Sequence, residues 1–346
     1  MKIGVIISSP PLAEGGHLVL ARSLVEALRD AGHEAGLVVT PQNRFGRLPS
    51  SYLAAWLTDV EVAYDGAPIH QVISLRFPAY AVRHPRHVVW LNHRMREYYD
   101  LWERFRATLS WRARLKERVR RRLLHAVDRR LLTHRVARLY TISGTIRERL
   151  RRFGGIPAEV LYPPAPQRPY RCDGYGDELF AVSRMTPLKR MDLLLRALAE
   201  PAAQGVRCAI AGEGPDAGRI HRLVSDLGLD GRVTLLGRID TGTLVARLAS
   251  CRAVVFPTYD EDYGLVTVEA FASRKAVVTC TDSGGPAELV QDGVSGFVCA
   301  PTAAALAVPL ARLAGERGLA ERLGEGGFKA GAEITWPRTI ERLILP

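Results

Sequence analysis

Short apolar runs alternate with helical stretches along the whole chain, and this alternation constrains the fold more than any other feature. A strand covered by helices on both faces reads as a near-continuous apolar run, because neither face meets water. Such runs stand at residues 3–7, 35–39, 72–75, 87–91, 138–141 and 159–161. A second series stands at 179–182, 207–210, 233–235, 253–256 and 277–280. The pattern predicts an α/β chain with two doubly wound parallel sheets.

Between the first two runs lies an amphipathic helix with Leu18, Leu20, Leu24, Val25 and Leu28 on one face. Gly32 follows it in the position where helices often end on a left-handed residue. Residues 162–178, YPPAPQRPYRCDGYGDE, are rich in Pro and Gly and read as an interdomain linker. The expected division is 1–165, 166–332 and a terminal amphipathic helix within 333–346. A length of 346 residues suits two domains. No apolar run approaches the roughly 20 residues of a membrane-spanning helix. The start, MKIGVIISSPP, reads as a strand rather than a signal peptide. The five cysteines are scattered, odd in number and without a CxxC pair. They suit reduced thiols in a cytoplasmic protein and no metal site.

The net charge of +12 is one-sided. Residues 1–165 carry 27 Lys and Arg against 14 Asp and Glu, while the remainder carries 21 against 22. A field of one sign implies an acidic partner. The densest stretch begins at Trp111, with apolar residues every fourth position at Leu115, Val119, Leu123, Val127 and Leu131. Arg112, Arg114, Lys116, Arg118, Arg120, Arg121 and Arg122 lie between them. Such a helix either lies on an anionic membrane surface or packs with a solvated basic face. Nucleic acid is not expected, since no aromatic-interleaved basic motif accompanies it.

Candidate chemistry concentrates in residues 256–296, FPTYDEDYGLVTVEAFASRKAVVTCTDSGGPAELVQDGVSG. Glu261 and Glu269 stand eight positions apart across a loop-to-helix junction. Carboxylates accept hydrogen bonds from the vicinal hydroxyls of sugars. Backbone amides at Gly264, Leu265 and Val266 open the helix and suit a phosphate, and Gly284 and Gly285 precede a second short helix. Upstream, FAVSRMTPLKRM places Arg184 and Lys189 just after a strand, two cations suited to a diphosphate. AGEGP ends a strand in Gly212, Glu213 and Gly214, and Arg238 follows in LLGRID. Near the start, Gly15 and Gly16 lie between a strand and a helix, which lets a ligand approach the backbone. They form no GxGxxG, which disfavours a nicotinamide dinucleotide. His93, in WLNHRMREYYDLW, follows a strand end, with Arg94, Arg96, Tyr98 and Tyr99 as an expected acceptor surface.

Taken together, these motifs resemble the retaining glycosyltransferases of the GT-B fold, in particular family 4 (glycosyltransferases group 1), over nearly the whole chain. The spacing Glu261-x7-Glu269 resembles that family's signature. The resemblance implies two Rossmann-like domains facing each other across a cleft, the first for an acceptor and the second for a nucleotide-sugar. Glu261 would contact the transferred sugar, Glu269 the ribose, Arg184 and Lys189 the diphosphate, and Gly212–Gly214 the base and ribose. Arg238 would line the base pocket. Gly15, Gly16 and His93 would face the donor sugar from the first domain. Ser183 stands where the family often has glycine. Asp260-Glu261-Asp262 spells the DxD metal motif of the other large glycosyltransferase fold, but its place inside Glu-x7-Glu argues for no required metal and no cofactor. The implied reaction moves a sugar from a nucleoside diphosphate-sugar to a saccharide or lipid-linked acceptor in envelope or exopolysaccharide synthesis. The implied place is the cytoplasm or the inner membrane face. A soluble small-molecule acceptor, a nucleotide-sugar 2-epimerase and a non-catalytic nucleotide-sugar or polyanion binder are the alternative readings.

Overall fold

The computed structural model describes residues 1–12, 15–42 and 48–346. They form two compact units, Met1–Pro163 together with Trp336–Pro346, and Pro164–Thr335. In the first unit the chain runs β1 (Lys2–Ser9), α1 (Gly16–Asp30), β2 (Glu34–Pro41), α2 (Leu48–Leu57), β3 (Gln71–Ser74) and β4 (His87–Leu91). It continues through α3 (Trp102–Ala107), α4 (Trp111–His134), β5 (Arg138–Thr141), α5 (Gly144–Arg152) and β6 (Glu159–Val160). The second unit runs β7 (Glu178–Val182), α6 (Met191–Ala199), β8 (Arg207–Ala211), α7 (Ala217–Asp226), β9 (Val233–Gly237) and α8 (Thr241–Ser250). Then come β10 (Val254–Val255), α9 (Leu265–Ala272), β11 (Val277–Cys280), α10 (Gly285–Leu289), β12 (Gly296–Cys299), α11 (Ala303–Gly315) and α12 (Arg317–Gly331). The last helix, α13 (Trp336–Leu343), belongs to the first unit.

Each unit holds one six-stranded sheet, and all strand pairs are parallel. The first sheet has the order β2-β1-β3-β4-β5-β6 and the second β12-β11-β10-β7-β8-β9. The strand order therefore reverses between β1 and β3 in the first sheet and between β10 and β7 in the second. Ligands of open α/β sheets bind outside the carboxyl ends of the strands at such a switch point.

The burial explains the apolar runs. All five residues of β4 and all four of β11 are buried, as expected for strands with both faces covered. In the second unit Leu194, Leu195 and Leu198 of α6 and Leu306 and Leu310 of α11 pack on β7, β8 and β11 in one core. Helix α1 ends as its sequence predicts: Gly32 has φ +83° and donates to Arg29 O, and His33 N donates to Leu28 O. Helix α13 is tied to the first unit by Gln71, whose Nε2 donates to Leu343 O at 2.7 Å and whose Oε1 accepts from Leu345 N at 2.9 Å. Trp336 packs edge-on to Trp90.

One strand and the packing of one helix go beyond the sequence reading. Strand β12 has no counterpart in it. This strand is an edge of four residues paired only with β11, so its sequence, GFVC, lacks the long apolar run of a central strand. Helix α4 packs on a different face from the one its apolar residues mark. Trp111, Leu115, Val119, Leu123 and Val127 are exposed, and only Leu131 of that series is buried. The inward face carries Glu117, Leu124, Asp128 and Leu132 instead. Asp128 accepts from Tyr52, Tyr80 at 2.6 Å and Tyr99 at 2.6 Å, and Glu117 accepts from Tyr98 at 2.7 Å. Tyrosine hydroxyls thus satisfy two buried carboxylates and fix the helix.

Candidate functional site

In the second unit the loops after β7, β8, β10 and β11 converge at the switch point. The loop after β7 carries Ser183 and Arg184, makes one tight turn at Pro187–Lys189, and enters α6 through Arg190 at φ +50°. It is zipped to the loop after β8: Ser183 N donates to Ala211 O at 3.0 Å and Met185 N to Glu213 O at 2.8 Å. Gly212, at φ +135°, lies so close that a Cβ would sit 1.8 Å from Ser183 O. Only glycine permits that approach. Glu213 and Arg184 are exposed, and Gly214 would meet Met185 O in the same way as Gly212 meets Ser183. Arg238, just after β9, is also exposed.

The loop after β10 is held from both sides. Tyr259 N donates to Leu188 O, Asp260 N to Asp282 O and Glu261 N to Ser283 O, each at 2.8 Å, and Gly285 N returns to Glu261 O at 2.9 Å. Lys189 Nζ donates to Glu261 Oε2 at 2.5 Å, and both side chains are one-fifth exposed. The cation after β7 and the carboxylate after β10 thus meet across the two strands where the order reverses. The same ammonium lies 5.4 Å from the Phe256 ring centroid. Beside it Arg190 clasps Asp282 through two hydrogen bonds of 2.7 and 2.6 Å and covers Tyr259. The Asp282 carboxylate raises the Arg190 pKa.

Gly264 caps α9 at φ +79° and offers no side-chain oxygen to the first amides. A Cβ there would strike Phe256 and Pro286 at 2.7 and 2.8 Å. Leu265 and Val266 are half-buried in the first turn. Helix α10, the second short helix expected from the sequence, has five residues and opens at Gly284, whose φ is +70°. Glu269 is deeper than a solvated ligand group: it is 4% exposed and its Oε1 accepts from Arg168 at 2.5 Å and Tyr170 at 2.9 Å. Burial raises its pKa, against the Arg168 cation and the Tyr170 hydrogen bond. No cluster of three or more metal-ligating side chains occurs among the described residues.

In the first unit Gly15 opens α1 as its N-cap, followed by the exposed Gly16, and Leu18 N donates to Gly15 O at 3.0 Å. Glu14 and Ala13 of that loop lie outside the described residues. His17 Nε2 lies 3.1 Å from Ser9 Oγ at the end of β1. Burial, then the charge of Arg76 and then that of His93, depress the His17 pKa to about 3. His93, after β4, is half-buried, with Nδ1 2.7 Å from Arg94 O. The expected acceptor surface is corrected by the structure. Tyr98, Tyr99 and Arg94 are buried, because they hold α4 and α5: Arg94 stacks on Tyr99 at 3.7 Å and donates to Arg149 O at 3.0 Å. Arg96 is paired with Asp100 at 2.7 Å.

Sequence reasoning missed His17, Arg76, Arg190, Asp282, Arg168 and Tyr170. His17 directly follows the Gly15–Gly16 pair, and Arg190 and Asp282 sit beside motif residues. Arg168 and Tyr170 lie in the Pro- and Gly-rich segment 162–178 that reads as an interdomain linker.

Residues 173–330 match the family described as glycosyl transferases group 1. The matched residues lie within the second unit. The curated relatives agree with that match. D-inositol 3-phosphate glycosyltransferase of Nocardia farcinica is 34% identical over 181 residues, 49% of this chain and 40% of the relative. An exopolysaccharide phosphotransferase of Streptomyces coelicolor is 32% identical over 204 residues, 56% of this chain and 21% of the relative. The matches thus span well under half the length of these relatives. A crystal structure of Anabaena HepE in complex with UDP and glucose superposes with a TM-score of 0.73 at 17% identity, over 98% of both chains. At that identity the likeness shows the fold, which is GT-B. The loops that carry the Lys189–Glu261 pair lie inside the matched residues.

Proposed function

We propose that the chain is a retaining family 4 hexosyltransferase that moves a sugar from a nucleoside diphosphate-sugar to a saccharide hydroxyl. The Lys189–Glu261 pair at the β7/β10 switch point carries this reading. Glu261 uses Oε2 for Lys189, and we assign its Oε1 to a hydroxyl of the transferred sugar. Lys189, with Arg184 beside it, faces the diphosphate, whose charge grows as the glycosidic bond breaks. The amides of Gly264, Leu265 and Val266 take the phosphate oxygens, and the Gly212–Glu213–Gly214 turn supports the base and ribose. Arg238 lines the base. Glu269 takes the ribose through the oxygen that Arg168 and Tyr170 leave. The acceptor side belongs to the first unit, with Gly15, Gly16, His17, Arg76 and His93 at its strand ends.

Retention follows if the acceptor oxygen attacks the anomeric carbon on the face the phosphate leaves. The carbon–oxygen bond to the phosphate breaks, and the departing diphosphate takes the acceptor proton. The chain's work is then positioning and charge stabilisation. The complex of HepE with UDP and glucose supports a uridine diphosphate sugar as the first donor to test. The name of the exopolysaccharide relative supports a saccharide acceptor as the first class to test.

The experiment is a thermal-shift screen against UDP, GDP, ADP, CDP and dTDP, with and without EDTA, followed by turnover of the matching sugar donor. Binding to the folded state raises the midpoint by mass action. One nucleotide is expected to shift it, independently of EDTA, and proton NMR of the product is expected to show the donor's anomeric configuration. Inverted product, or no shift with any nucleotide, overturns the proposal.

A further inference from the structure

We infer that helix α4 and the neighbouring α2 form a docking face for an anionic lipid bilayer. The helix carries an uncovered apolar stripe: Trp111, Leu115, Val119, Leu123 and Val127 are between 43% and 71% exposed. A solvated helix has no physical reason to repeat large apolar residues at four-residue spacing on its outer side. The stripe opens into a groove of about 520 Å³ between α2 and α4, walled by Leu53, Trp56, Leu123, Val127 and Leu131. Leu53 and Leu57 of α2 add further exposed apolar area at its edge.

Charge selects the occupant. Seven cations of α4, from Arg112 to Arg130, are exposed, whereas its two carboxylates, Glu117 and Asp128, are buried under tyrosines. The outer face therefore presents apolar side chains and positive charge with no exposed acid of its own. A second copy would bring the same charges to this face and be repelled. An anionic bilayer satisfies both features, taking the stripe into the boundary of headgroups and chains while its surface attracts the arginines. The tyrosine anchors hold α4 on the unit by its polar face, which leaves the apolar one outward.

The inference goes beyond the proposed sugar transfer and does not depend on it. Its test is co-sedimentation of the full chain with vesicles of phosphatidylcholine alone or with about 30% phosphatidylglycerol, an anionic fraction sufficient to attract basic segments. Binding is expected only to the anionic vesicles. The triple change Leu115→Ser, Val119→Ser, Leu123→Ser is expected to weaken it at least about tenfold, as is Arg118→Ser, Arg122→Ser, Arg129→Ser. Both sets alter exposed positions, so thermal midpoint and nucleotide-induced shift are expected to stay at wild-type values. Failure of the proposed function would remove that nucleotide shift in every form and leave vesicle binding intact. No binding to anionic vesicles, or equal binding by the apolar variant, overturns the inference. So does a concentration-dependent dimer, read by light scattering, that the same substitutions abolish without any vesicle binding.

Discussion

Arg168 Nη1 donates to Glu269 Oε1 at 2.5 Å and closes the chain just after the unit boundary onto helix α9. The pair is largely buried, with side chains 16% and 6% exposed. Removing the cation leaves a buried carboxylate with Tyr170 alone. Arg168→Ala is expected to cost about 3–5 kcal/mol of unfolding free energy, read by urea titration. A loss below about 1 kcal/mol, the range of an exposed pair, would sink the assignment. Arg168→Lys is expected to recover only part, since an ammonium does not reproduce the guanidinium fork.

Lys189→Ala is expected to lower kcat by about 100- to 1,000-fold with a smaller change in KM, because the charge it meets grows in the transition state. Lys189→Arg is expected to fall between the two. Release of nucleoside diphosphate from the donor measures both. An unchanged kcat with a raised KM would reassign Lys189 to ground-state binding.

Gly212→Ala is expected to destabilise the second unit. The left-handed φ of +135° alone costs about 1–3 kcal/mol, and the new methyl would collide with Ser183 O. The β7 and β8 loops must separate to admit it. Gly218 is the control: it lies within α7, where an added Cβ meets nothing nearer than 3.9 Å. Gly218→Ala is expected to stabilise by about 0.5–1 kcal/mol. Equal thermal midpoints for the two variants would contradict the close approach.

His87 sets part of the pH dependence. It is fully buried with Nε2 2.7 Å from Ser74 Oγ, and burial holds its pKa down at about 3. The fold favours the neutral ring, so this stability is fully present above about pH 6.5 and is lost as pH falls toward 3. Between pH 7 and 5 the loss is about 2 kcal/mol. Burial raises the carboxyls of Asp128 and Glu269, whose contributions run the other way. The comparison is therefore with His87→Gln, which is expected to lose this part of the slope. Parallel stability–pH curves for the two proteins would refute it.

Much of the fold is legible in the sequence because both faces of the central strands are covered. The runs at 87–91, 138–141 and 277–280 coincide with β4, β5 and β11. The predicted run at 253–256 contracts to the two residues of β10, although Phe256 N still donates to Val278 O of the neighbouring strand at 2.8 Å. The switch point is not local information. It depends on β10 pairing with β7, about 75 residues earlier in the chain.

The sequence by itself determined two parallel sheets, the glycine turns and which loops carry charged and carboxylate residues. Apolar runs and glycines act locally, through burial period and backbone freedom. Tertiary structure alone decided the partners. It gave Lys189 to Glu261, gave Glu269 to Arg168 and Tyr170, and turned the apolar stripe of α4 outward. The pattern of α4 showed an amphipathic helix but not which face would be buried. That face was set by tyrosines at 52, 80, 98 and 99, whose hydroxyls reach Glu117 and Asp128 only after the chain has folded. Buried polar groups must find partners, and those partners come from remote segments that no local pattern identifies.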